Sequence, residues 1–143
     1  MEKENKPLDL TFKLKAVELL QHSLELPKDI PGPNYLFNFQ INVESKVDID
    51  KRFVIVITNV DIMDSEQENK LGSISVSCIY EVINFEEVIK VEGTQLNIPN
   101  PLVEVLNSVS ISTTRGVMFA VFRGTFLHQA VLPILDPKQI KPN

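Results

Sequence analysis

Three consecutive segments that alternate polar with apolar residues constrain the fold more than any other feature of this chain. Residues 35–49 set Phe37, Phe39, Ile41, Val43 and Val47 on one side and Asn38, Gln40, Asn42 and Glu44 on the other. That is the period of a half-buried strand. Asp48, Ile49, Asp50 and Lys51 then read as a turn. Residues 53–62, FVIVITNVDI, are β-branched and apolar on both faces at first, which places this strand mid-sheet. Residues 64–70, DSEQENK, form a polar hairpin loop, and residues 71–85 alternate again as a long strand. Strands joined in succession by short polar turns make an antiparallel meander.

The period changes after a short charged connector at residues 86–93. Pro99 and Pro101 open the longest helical candidate, where a proline costs little because its missing N–H has no partner in a first turn. Leu102, Leu106, Val109, Thr113 and Val117 recur at helical spacing, and from Val117 to Phe122 apolar residues cover every side. A helix apolar all round needs a second surface beyond one sheet, so an oligomer interface or a second layer is expected. Gly116 costs about 1 kcal/mol inside a helix, which close backbone packing would explain. Gly124 stops the helix in the position that takes a left-handed turn. Residues 127–134 predict a short apolar element ended by Pro133 and Pro137.

The N-terminal third is less decided. Residues 10–26, LTFKLKAVELLQHSLEL, fit a strand face and a helix face equally well, and their composition leans towards helix. Residues 27–34 hold three prolines and a glycine and read as a stiff loop. At 143 residues the chain is most simply one domain, with flexible ends at 1–9 and 138–143. That length buries a core without metal or disulfide help.

Charge and motif content exclude several function classes. A net charge of −5, with lysines and arginines scattered, is a poor match to nucleic acid, whose phosphates need a concentrated basic field. The single cysteine, Cys78, lies in an alternating apolar run with Ile74, Val76 and Tyr80 and reads as a small buried apolar residue. The charged first ten residues carry no apolar core of a signal peptide. No run approaches the ~20 apolar residues of a membrane span. A reduced, cytoplasmic protein is expected.

Catalytic signatures are missing. His22 and His128 are far apart and lack neighbours at metal-ligand spacing, so no metal is assigned. Asp61, Asp64, Glu66 and Glu68 lack the central glycine and terminal glutamate of a calcium loop. Ser108, Ser110, Ser112, Thr113 and Thr114 have no histidine nearby to activate a nucleophile. No phosphate-binding glycine loop occurs. The chain is read as a non-enzyme without cofactor. What remains is an apolar surplus: Phe119, Phe122, Phe126, Leu127, Val131, Leu132 and Ile134 near one end, and Tyr35, Leu36, Phe37 and Phe39 after the proline loop. Most of these serve a core, and the rest suit a surface groove for extended polypeptides.

Several short motifs occur in a fixed order. They are Phe12-Lys13-Leu14, then Ser23 to Pro27 (SLELP), Gly93-Thr94-Gln95, Pro99-Asn100 and Arg123-Gly124-Thr125-Phe126. In this order and spacing, over about residues 10–137, the chain resembles the SecB family of protein-export chaperones. The resemblance tips residues 10–26 towards strand. It implies an α+β fold with a four-stranded antiparallel sheet, a long C-terminal helix and a short second helix. It implies a homotetramer, a dimer of dimers joined through the long helices, here through Leu106, Val109, Thr113, Gly116 and Val117. It implies an ATP-independent holdase that keeps unfolded or pre-export polypeptides from folding, with a client groove at Leu26, Ile30, Tyr35, Phe37, Phe126, Leu127 and Val131.

The chain departs from the family at its motor-docking positions. Gln21 stands where the family carries an aspartate used to dock the SecA motor, although Glu25 keeps the nearby acid. The later strand shows Val76 and Cys78 with no acid at the matching place, and the tail after Pro137 is short. Holdase activity therefore carries over better than SecA docking. Some divergent relatives guard antitoxins, so a dedicated client is a second expectation, and an adaptor for a folded partner a third.

Overall fold

The computed structural model describes residues 11–27, 29, 31–32 and 34–135. The chain runs β1 (Phe12–Leu24), β2 (Asn38–Asp48), β3 (Phe53–Met63), β4 (Lys70–Val82), α1 (Phe85–Val88), β5 (Lys90–Glu92), β6 (Gln95–Asn97) and α2 (Asn100–Val121), then a 3-10 turn at Phe126–Gln129. Strands β2, β3 and β4 form the expected meander, and β1 returns antiparallel to β4, giving the sheet order β1-β4-β3-β2. The apolar β3 is interior, as its two-sided sequence predicts.

Strand β1 explains its own ambiguity. Its register on β4 shifts twice, between Leu14 and Ala16 and between Leu19 and Gln21. Phe12 and Leu14, then Val17 and Leu19, then His22 and Leu24 all oppose even-numbered β4 residues and so share one face. Each bulge flips the parity of the inward positions, and the resulting spacing imitates a helix. Pairing with β4 overrides the helical composition.

One face of the sheet carries the core. Val54, Val56, Thr58, Val60 and Ile62 of β3 and Ile74, Val76, Cys78 and Tyr80 of β4 are buried there. Helix α2 covers this face over β3 and β4 with Leu102, Leu106, Ser110, Ile111, Thr114 and Met118. Tyr80 fixes the helix on the sheet: its hydroxyl lies 2.7 Å from Ser110 Oγ and donates to the Leu106 carbonyl at 3.3 Å. The opposite face is mixed, with Phe53, Ile55, Ile57 and Ile79 beside a polar row. Gln21 Nε2 donates to Ser75 Oγ (3.2 Å), which donates to Asn59 Oδ1 (2.5 Å), so hydroxyls and amides run in a row across three strands.

Two turns behave as their residues dictate. Lys51 N donates to Asp48 Oδ1 at 3.1 Å, closing the β2–β3 turn. Asp64 accepts from Glu68 N (2.8 Å) and Asn69 Nδ2 (2.9 Å), closing the β3–β4 loop. The Asn69 amide, with the backbone donors, holds the Asp64 carboxyl below the usual carboxylate range.

Two sequence expectations need correction. The connector at 86–93 is structured: α1 anchors on buried Phe85 and Val88, and β5 and β6 make a hairpin turning at Gly93 (φ +64°). Among the described residues the second helix takes the form of a single 3-10 turn. Thr125 caps that turn by accepting from Leu127 N (3.1 Å), and from Ala130 the backbone is extended. A single hydrogen-bonded turn next to Pro133 has too little length to repay helix nucleation. Within the described residues of one chain a Cβ on Gly116 would find nothing within 4 Å, so the expected close packing would have to come from a second copy. Gly124 does take the left-handed turn after α2, at φ +82°. The expected flexible ends, residues 1–9 and 138–143, lie outside the described residues.

Candidate functional site

An open apolar groove of about 450 Å³ lies between the start of β2 and the extended segment after the 3-10 turn. One bank is Tyr35, Leu36, Phe37, Asn38, Phe39 and Ile41, and the other is Gln129, Val131, Pro133 and Leu135. Among the described residues no charged side chain lines it. Strand period two builds the first bank, because Phe39 and Ile41 of β2, and Phe37 just before it, project from the helix side of the sheet at the margin of the core, while α2 packs chiefly on β3 and β4. The second bank alternates in the same way: Val131, Pro133 and Leu135 face the groove while Leu132 is buried beneath. Tyr35 and Phe37 meet edge to face with centroids 5.0 Å apart, and Tyr35 Oη accepts from Ser65 N at 3.1 Å. That hydrogen bond ties the proline loop to the β3–β4 loop and fixes the ring against the groove.

The structure brings Tyr35, Phe37 and Val131 together from the expected client set. Leu26 is exposed but stands apart from the groove, and Ile30 lies outside the described residues. Phe126 is half-buried against the core, away from the groove. Leu127 is a correction: it is 1% exposed and packs its Cδ1 over Gly72, where the missing side chain leaves room. Leu36, Ile41, Pro133 and Leu135 were not picked out for the client set, although the alternation at 37, 39 and 41 and at 131, 133 and 135 was available to find several of them.

The expected interface residues divide between two faces of α2. Leu106 is a correction, because it sits 1% exposed beneath Tyr80, in the core of its own chain. Val109, Thr113 and Val117 are half-buried on the helix flank and Gly116 is exposed. Val105, Ser108, Ser112 and Ala120 are exposed on the same helix. Beside it, the core-side face of β1 leaves Leu14, Val17, Leu19 and Leu24 exposed, since α2 packs chiefly on β3 and β4.

The positions matched to motor docking are dispersed. Glu25 donates its backbone N–H to the Leu71 carbonyl (2.9 Å), while Gln21 is engaged with Ser73 and Ser75. Val76 and Cys78 lie under α2, on the sheet face opposite Gln21; the β4 residues on Gln21's own face are Ser73, Ser75, Ser77, Ile79 and Glu81. Burial pushes the Cys78 thiol up and holds it protonated. His128 lies against Phe119 at 5.2 Å, and among the described residues no group of three or more His, Cys, Asp or Glu could hold a metal ion. No helix among the described residues is long and apolar enough to cross a membrane.

No model of a protein family matches the chain, and no curated protein matches it. Among solved structures it is similar to a SecB-like chaperone of Mycobacterium tuberculosis in complex with a ChAD peptide from the HigA1 antitoxin. The TM-score is 0.55 at 10% identity, over 87% of each chain. This likeness shows the fold: an α+β chain with a four-stranded antiparallel sheet and one long helix, in the SecB-like arrangement.

Proposed function

We propose that this chain is an ATP-independent holdase that binds unfolded polypeptide in the groove between Tyr35–Ile41 and Gln129–Leu135. The observation that carries the reading is an aromatic-walled groove, uncharged among the described residues, on a SecB-like fold. Each apolar client side chain seated there contributes about 1.5–3 kcal/mol, and several grooves on one assembly act together through effective concentration. Binding the unfolded state pulls the folding equilibrium away from the native client and needs no nucleotide.

The assembly in this proposal is a homotetramer in the cytoplasm. Its support is the uncovered apolar surface of β1 and the small-residue outer stripe of α2, which a second copy would cover. A client-dedicated role is favoured over hand-over to a SecA-type motor. The structural neighbour holds a peptide from one partner protein, and Gln21 puts a neutral, already bonded amide at the position where the SecB family carries its docking aspartate. A non-catalytic adaptor for a folded partner has no such observation behind it.

The test is light scattering of a chemically denatured protein diluted into buffer without nucleotide. The expected result is suppressed aggregation at one tetramer per client chain. Unchanged aggregation at that ratio contradicts the proposal.

A further inference from the structure

We propose that Arg115 is a positioning residue that holds one wall of the groove in place. Its Nε donates to the Leu132 carbonyl and its Nη2 to the Pro133 carbonyl, both at 2.8 Å. Two successive carbonyls thus fill the fork of one guanidinium, a geometry no other side chain offers. Nη1 lies 3.5 Å from Ser112 Oγ, one turn back on α2. Among the described residues no carboxylate pairs with Arg115, so its charge is spent on these carbonyls and on solvent.

The clamp acts where the segment most needs it. Ala130 and Leu132 bury their side chains and anchor the chain at that end. Beyond them Pro133 is exposed, Ile134 is 94% exposed and Leu135 is half-buried, so side-chain burial alone does little to fix this stretch. Pro133 and Leu135 are nevertheless half of the groove's second bank. The clamp also joins two parts of the proposed function. Arg115 projects from α2 beside Gly116, on the helix proposed to meet a second copy, and reaches the wall that meets the client. The inference rests on the groove being the polypeptide site.

The experiment uses the full chain in its natural assembly with Arg115→Ala and Arg115→Lys. Alanine keeps the helix, being the best helix former. Lysine keeps the charge but has no fork, and it carries both measurements if the alanine variant fails to fold. The first readout is the affinity for a fluorescein-labelled unfolded peptide rich in Leu, Val and Phe. The second is the mobility of a nitroxide attached through Ile134→Cys, read by electron paramagnetic resonance.

The proposal expects Arg115→Ala to weaken peptide binding about tenfold, as the loss of a charge-assisted pair of hydrogen bonds would. It expects the label to become mobile while the melting of the sheet is little changed, and Arg115→Lys to fall between. A mobile label with unchanged affinity overturns it, and so does a label whose mobility does not change. If the unaltered chain does not bind the peptide, the reading of the groove fails separately, and the label alone decides whether Arg115 holds the segment.

Discussion

Gly72 shows how one position links three segments. A Cβ on it would stand 2.5 Å from Leu127 Cδ1 and 2.8 Å from the Ser23 carbonyl. Gly72→Ala should therefore destabilise the fold by about 1–3 kcal/mol, seen as a lower denaturation midpoint with unchanged slope. Stability equal to the unaltered chain would show that Leu127 moves aside freely. Asn107 makes the opposite prediction. It is 1% exposed on α2, and among the described residues neither its amide nitrogen nor its oxygen has a hydrogen-bond partner. Asn107→Leu removes an unsatisfied buried group at similar volume and should stabilise by about 1–2 kcal/mol in the same denaturation assay. A loss of stability would show that the amide is partnered in solution. Neither effect was legible in the sequence. Gly72 lies in a strand with nothing to mark what sits above it, and Asn107 falls among serines and threonines as one polar residue of many.

Elements were legible where their periodicity was unbroken. Strands β2, β3 and β4 lie within two or three residues of the predicted spans, because each keeps a period of two between polar turns. Strand β1 defeated the same test because its bulges flip parity after Leu14 and again after Leu19. The segment after Gly124 defeated it differently: its apolar content marks burial and groove but fixes no helix once Pro133 interrupts. Helix α2 was found, yet Leu106, expected at an interface, is buried in the core of its own chain. Gly116 now gives the sharper test. In a lone chain its Cβ would meet nothing, so Gly116→Ala would stabilise by about 1 kcal/mol through helix propensity alone. Against a second copy packed closely on α2, the same change should lower the melting temperature and shift sedimentation towards smaller species. Stabilisation with unchanged mass would remove Gly116 from the interface.

The whole molecule combines a sheet, a helix that covers only part of it, and a groove beyond the helix. Incomplete cover is the common cause of the exposed apolar rows on β1 and the groove bank on β2. A single α2 spans β3 and β4 and leaves both edge strands partly bare. In this account one bare edge meets another subunit and the other meets client. Sequence reasoning reached the groove through Tyr35, Phe37 and Val131, which local alternation and density mark. It missed Arg115, because a bond between a helix flank and carbonyls 17 and 18 residues later has no local signature.

Exposure alone does not define the client site, and two valines separate the claims. Val131 on the groove is 54% exposed, and Val91 on the β5–β6 hairpin is 53% exposed outside it. A photocrosslinking amino acid placed at each, in the presence of an unfolded client and no nucleotide, tests the groove directly. The account predicts client adducts from position 131 and only background from position 91. Equal yields from both positions, or adducts from 91 alone, would contradict it.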